Sequence, residues 1–197
     1  MIEYIFKSSI DKNIINKAVN ILSEGGLVAY PTDTSWGIGC SPESKEGIEK
    51  LKKLKGSFKK TPPTLICSNI SQISQVAFLS NPAFKRIHQL APGPFTFILP
   101  ATPKIEKRIN MKRLEIGVRI PDHPVPVILV DSLGIPIFSM TASKKMAERG
   151  WMDSTFAEEN LFECGWELEY IDQIDLVLDT GESLDRVLST VLDMTKD

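Results

Sequence analysis

The stretch from Asp11 to Gly37 constrains the fold of this chain more than any other. Residues 11–24 place Ile14, Ile15, Ala18, Val19 and Leu22 at helical spacing. Gly25 and Gly26 follow, and glycine accepts the left-handed conformation that ends a helix. Residues 27–30, Leu-Val-Ala-Tyr, form a short apolar run of strand type, which Pro31 prevents from continuing as an ordinary ladder. A helix delivered directly into a buried strand favours a layered α/β architecture. The polar run Thr32-Asp-Thr-Ser35 then reads as a loop leaving the strand end.

The rest of the chain repeats the alternation. Residues 43–54 read as a helix with Ile48, Leu51 and Leu54 inward, and 64–67 read as a strand. A helix over 81–90 has Asn81 as its cap and Pro82 in its first turn. The Ala-Pro-Gly-Pro run at 91–94 is a turn, 95–99 and 116–120 are strands, and a basic loop lies at 104–113. A short helix over 123–130 and a strand over 135–139 come next. The pattern weakens over 144–173, read as loop with one ill-defined helix, and strands over 174–178 and 190–194 close the chain. There is no repeat and no low-complexity linker, so a single domain over 1–197 is expected, with a mixed sheet covered on its faces.

A chain of 197 residues buries a core without disulfide or metal support. Cys40, Cys67 and Cys164 are widely spaced and form no C-x-x-C pair, so reduced thiols and no zinc site are expected. The N-terminus lacks a basic then apolar leader, and no run approaches membrane-spanning length. A cytoplasmic protein without membrane contact is therefore expected. Residues 1–150 carry 21 Lys and Arg against 12 Asp and Glu, while 151–197 carry 2 against 13. The basic part suits phosphate or nucleic acid, though two halves of opposite sign that only solvate the protein and attract each other explain the charges equally well.

No phosphate-loop, dinucleotide, zincin or nucleophile-elbow motif occurs. The two histidines, His88 and His123, are too few for a histidine metal site and read as structural or exposed rather than catalytic. What remains is a set of hydroxyl clusters near strand ends: Thr32–Ser35, Ser139 to Ser143, and Ser189-Thr190. Arg119 sits in the apolar run Gly-Val-Arg-Ile-Pro, where an unpaired guanidinium is costly. Each cluster alone reads as backbone capping. Together with a semi-buried arginine they point to a shared cleft for a small anion-bearing ligand.

The segments Ala-Tyr-Pro-Thr-Asp-Thr (29–34), Gly-Ile-Gly (37–39), Pro-Gly-Pro-Phe-Thr-Phe-Ile-Leu-Pro (92–100), Gly-Val-Arg-Ile-Pro-Asp-His-Pro (117–124), Ser-Met-Thr-Ala-Ser (139–143) and Ser-Thr-Val-Leu-Asp-Met-Thr (189–195) resemble, in order, the YrdC/Sua5/YciO family, most nearly its YciO branch. The resemblance implies a twisted, mostly mixed open α/β sheet with helices on its faces and a concave basic surface. It implies the threonylcarbamoyl-AMP synthase reaction, which uses L-threonine, bicarbonate and ATP, with Mg2+ accompanying ATP and no protein-only metal site. The product serves the threonylcarbamoyl modification of tRNA adenosine 37, through the tRNA threonylcarbamoyl-transferase machinery. On this resemblance Thr34, Arg119 and Ser139 contact L-threonine, and Lys55, Thr141, Ser143 and Ser189 surround the ATP phosphates. Lys52, Lys53, Lys59 and Lys60 are the implied contacts to tRNA or double-stranded RNA. The sequence departs from the family pattern where a Lys-x-Arg motif belongs, here Lys55-Gly-Ser57, and at Met140 and Ser143, where the family has threonine and asparagine. The alternative reading is a non-catalytic or divergent relative that binds RNA or nucleotide.

Overall fold

A computed structural model of the chain describes residues 1–55, 64–103, 105, 115–147 and 158–195. The strands are β1 (Ile2–Tyr4), β2 (Val28–Tyr30), β3 (Gly37–Cys40), β4 (Thr64–Ile66), β5 (Phe95–Pro100), β6 (Glu115–Arg119), β7 (Ile137–Thr141), β8 (Leu176–Asp179) and β9 (Thr190–Asp193). The helices are α1 (Lys12–Ser23), α2 (Lys45–Lys55), α3 (Ile70–Val76), α4 (Asn81–Leu90) and α5 (Pro124–Leu133). One mixed sheet has the order β1-β8-β2-β3-β7-β4-β6-β5-β9. The expected layered α/β architecture is thus observed.

Local signals in the sequence act as read. Asp11 caps α1 by accepting the Asn13 N–H at 2.8 Å, and Gly25 ends it at φ 87°. At α4 the cap is Ser80, not the expected Asn81; its hydroxyl accepts the Ala83 N–H and Asn81 is already helical. Within 144–173 the described residues hold three short 3-10 turns, Lys144–Ala147, Glu158–Asn160 and Gly165–Tyr170. Except for 101–103, 105 and 115, the basic region at 104–113 and its flanks lie outside the described residues.

Strand alternation gives the sheet two different faces. One carries Ile38, Cys40, Leu65, Phe97, Leu99, Val118 and Phe138, packed under Ile48, Leu51 and Leu54 of α2, Ile73 and Val76 of α3, and Ala83 and Ile87 of α4. On the other face, Val28, Tyr30, Ile66, Ile137, Leu176 and Leu178 pack under Ile15, Ala18 and Leu22 of α1 and Val125, Leu129 and Val130 of α5. The two helices cover only part of that face. Pairing register puts Gly39, Ser139, Thr64 and Gly117 in one row across β3, β7, β4 and β6, and Arg119 beside Ile66. These polar and small residues occupy the part left uncovered.

Two glycines of β3 shape this face. The Tyr30 side chain crosses β3 from β2 and donates a hydrogen bond to Ser139 Oγ on β7 at 2.6 Å. A Cβ on Gly37 would lie 2.9 Å from Tyr30 Cε2. A Cβ on Gly39 would lie 2.4 Å from Ile137 Cγ2 and 3.1 Å from the Tyr30 hydroxyl oxygen. The Gly-Ile-Gly run is therefore a trough that admits the ring, while Ile38 between them fills the opposite core. Gly39→Ala is expected to lower stability by about 1–3 kcal/mol through overpacking, read as a lower urea midpoint at unchanged slope.

Candidate functional site

Past Pro31 the loop is fixed by its own hydroxyls. Thr32 Oγ1 donates to the Ser35 carbonyl at 2.6 Å and accepts the N–H groups of Thr34 and Ser35 at 3.1 and 3.2 Å. Capping is real here, and one threonine accounts for it. The Thr32 and Thr34 hydroxyls also lie 3.1 Å apart. Thr34 Oγ1 then faces Arg119 as an acceptor.

Arg119, at the end of β6, is 7% exposed. Its Nη2 pairs with Asp33 Oδ1 at 2.6 Å, its Nη1 donates to Thr34 Oγ1 at 2.9 Å, and its Nε donates to the Gly93 carbonyl at 3.4 Å. Burial pulls the guanidinium below its ordinary value, and the Asp33 charge pushes it back up, so it remains a cation at neutral pH. Three of its five N–H groups are engaged by these bonds, which among the described residues leaves two for a ligand. Asp33 Oδ2 is buried with no hydrogen-bond partner among the described residues.

The open part of the sheet face is a cleft walled by hydroxyls. Thr32 and Ser35 stand on one side beside Arg119, with Thr64 on β4 and Ser139 and Thr141 on β7. Thr96 of β5 and Ser189, just before β9, complete it, joined by a 2.9 Å hydrogen bond. Of the residues expected at the site, Arg119, Ser139, Thr141 and Ser189 line this cleft together. Thr34 is 2% exposed and stands behind Arg119. Ser143 is buried away from the wall, where its Oγ accepts the Lys145 N–H of the following turn at 3.4 Å. Met140 belongs to the core of the opposite face.

The lysines divide differently. Lys52 pairs with Glu49 at 2.7 Å, and Lys53 is exposed, on a helix that packs against the face opposite the cleft. Lys59 and Lys60, like the side chain of Lys55, lie outside the described residues. Tyr30, Asp33, Thr64 and Thr96 were not expected. Thr64 and Thr96 carry a signal, a hydroxyl at the inward phase of an otherwise apolar strand, but only strand pairing brings them together.

Other reactive side chains are quiet. Cys40 and Cys67 are buried, and burial pushes both thiols up to about 12, so neither supplies a thiolate. His123 caps α5, its Nδ1 accepting the Val125 N–H at 3.3 Å. This is the structural role expected for it. Burial, followed by the nearby Lys7 charge, lowers His123 from 6.5 to about 4. Among the described residues, no helix is long and apolar enough to cross a membrane.

The family model described as "Telomere recombination", the Sua5/YciO/YrdC model, matches residues 20–197. YciO, an uncharacterized protein of Escherichia coli K12, is 32% identical over 195 residues, covering 98% of this chain and 90% of that protein. The crystal structure of E. coli YciO superposes with a TM-score of 0.81 at 30% identity, covering 100% of this chain and 91% of that one. A threonylcarbamoyl-AMP synthase of Hydrogenovibrio crunogenus is 34% identical over 133 residues, 66% of this chain and 72% of the synthase. The P. abyssi Sua5 structure complexed with L-threonine shares the fold, with a TM-score of 0.83 at 23% identity, over all of this chain and 55% of that one.

The His123 cap has a pH signature. Its folded value lies below its ordinary one, so the folded state binds fewer protons than the unfolded state between about pH 4 and 6.5. The cap's stabilisation is complete above about pH 6.5 and is lost as pH falls toward 4. Asparagine keeps a capping acceptor without titrating. The stability of the wild type relative to His123→Asn is therefore expected to fall across that window in urea titrations.

Proposed function

The chain belongs to the Sua5/YciO/YrdC family, and we propose that its cleft is the site of a threonylcarbamoyl-AMP synthase-like enzyme. The observation that carries the reading is Arg119. It is a buried guanidinium fixed by Asp33, Thr34 and Gly93 with two N–H groups to spare, at the side of a hydroxyl-lined cleft. Such a group receives a carboxylate in a defined orientation. The synthases named among the relatives, and the L-threonine complex of a protein with the same fold, support threonine as its owner.

In the proposed reaction the amine of L-threonine attacks the carbon of bicarbonate, an N–C bond forms and water leaves. An oxygen of the resulting carbamate attacks the α-phosphorus of ATP, and the α–β bond breaks to release pyrophosphate. Neither step demands a strong side-chain base. The protein's share is to hold the reactants in line and to stabilise charge with fixed donors. Arg119 orients the threonine carboxylate, and Thr34 acts through Arg119. Thr141 and Ser189 face the phosphates, and the family resemblance adds Lys55 to them. The cleft wall offers hydroxyls more than carboxylates, so Mg2+ enters with ATP as part of the substrate. The product is the activated carbamoyl donor for tRNA adenosine 37, passed to the transferase machinery, and the basic lysines would meet tRNA or double-stranded RNA.

Radiolabelled pyrophosphate is expected to exchange into ATP only when threonine and bicarbonate are both supplied. Exchange that ignores threonine, or no exchange at all, sinks the reading. Arg119→Ala, made together with Asp33→Asn so that no carboxylate is left buried and unpaired, is expected to weaken threonine binding by about 2 kcal/mol or more. Calorimetric titration checks this, and unchanged affinity would assign Arg119 to architecture alone.

A further inference from the structure

Strand β1 is an open edge: among the described residues, no strand lies beyond it. In its parallel pairing with β8, the Met1 carbonyl accepts the Val177 N–H and the Ile5 N–H donates to the Asp179 carbonyl. The N–H and C=O groups of Ile2 and Tyr4 therefore point away from the sheet. Edges are commonly blunted by lysine or proline, and the run Ile-Glu-Tyr-Ile-Phe at 2–6 has neither. Tyr4 is 61% exposed, on the face where Ile2 packs against the core holding Leu168 and Ile171. The turn Gly165–Tyr170 stands beside it, since Tyr4 is opposite Asp179 in register and a Cβ on Gly165 would lie 2.4 Å from Asp179 Oδ2. Trp166 and Tyr170 leave this turn outward, 55% and 76% exposed. Glu163, Glu169 and Asp172 around them are exposed and carry no ion pair among the described residues, whereas Glu167 is held by Lys144 at 2.8 Å.

We propose that this edge docks an extended, basic segment of a partner protein, added to the sheet as a further strand with lysine or arginine side chains over Tyr4, Trp166 and Tyr170. Main-chain pairing to Ile2 and Tyr4 sets the register. Alternate side chains of the added strand fall on the aromatic face, where a cation meets both ring faces and unpaired carboxylates. Charge selects the occupant. Residues 151–197 carry 2 Lys and Arg against 13 Asp and Glu, a field that repels nucleic acid and anionic lipid surfaces. A second copy pairing β1 with β1 would set the same carboxylates against each other. None of the residues of this surface lines the cleft, so the proposal stands whatever the cleft binds.

Short synthetic peptides test it on the full chain. A fluorescein-labelled peptide alternating arginine with threonine is expected to bind in anisotropy titrations, more weakly as salt is raised. Its counterpart alternating glutamate with threonine is expected not to bind. The Tyr4 N–H is expected to exchange with solvent at least about tenfold more slowly in the complex, because the added strand takes it as a donor. Trp166→Ala and Tyr170→Ala made together, both at exposed positions that folding does not depend on, are expected to weaken the arginine peptide about tenfold. Binding that leaves the Tyr4 N–H unprotected, or that survives the double substitution unchanged, is charge attraction elsewhere and overturns the proposal. Absence of binding overturns it too, as does a concentration-dependent dimer that protects the Tyr4 N–H without peptide.

Discussion

A guanidinium removed from water has to find compensation, and around Arg119 that requirement organises three separate parts of the chain. Asp33 and Thr34 come from the loop after β2, Gly93 from the turn before β5, and Arg119 itself from the end of β6. None of these is near another in sequence. The loop after β2 is stiff because Thr32 satisfies its backbone, so Asp33 and Thr34 are presented to the cation without further ordering. Pairing is also what keeps the arginine charged and aimed, since burial alone works against its charge.

The second constraint is coverage. Helices α2, α3 and α4 close one face of the sheet, while α1 and α5 close only part of the other. An open sheet face tolerates hydroxyls and glycine where a covered one demands aliphatic side chains. The change occurs within single strands. On β7, Ile137 lies under α5, while Ser139 and Thr141, on the same face, reach the cleft. On β4, Ile66 is covered and Thr64 is not. A cleft built on strands inherits their rigidity, which suits a site that works by orientation.

Much of this was legible in the sequence, for identifiable reasons. The Gly25-Gly26 stop, the Pro31 break and the helical spacing in α1 and α2 are local signals, and they act locally. Strand β3 is hidden because Gly37 and Gly39 are poor strand formers; their purpose, to let Tyr30 cross, exists only between strands. Helix α3 and strand β1 are short and offer little periodicity. The need for a partner to Arg119 follows from its apolar surroundings, but the identity of that partner, Asp33, does not. Ser143 shows the reverse case, a motif position whose side chain is spent on its own turn.

The strand order also says something about when the sheet becomes whole. Strand β8 stands between β1 and β2, parallel to both, so Ile2 pairs with Val177 and Val28 with Leu176. Until residues near 176 emerge from the ribosome, β2 has an open edge and β1 has no neighbour. That late insertion gives the fold contacts of very long sequence separation, which slow folding. A nascent chain ending before β8 would leave β2 with an unpaired strand edge, the surface on which misassociation and chaperone capture begin.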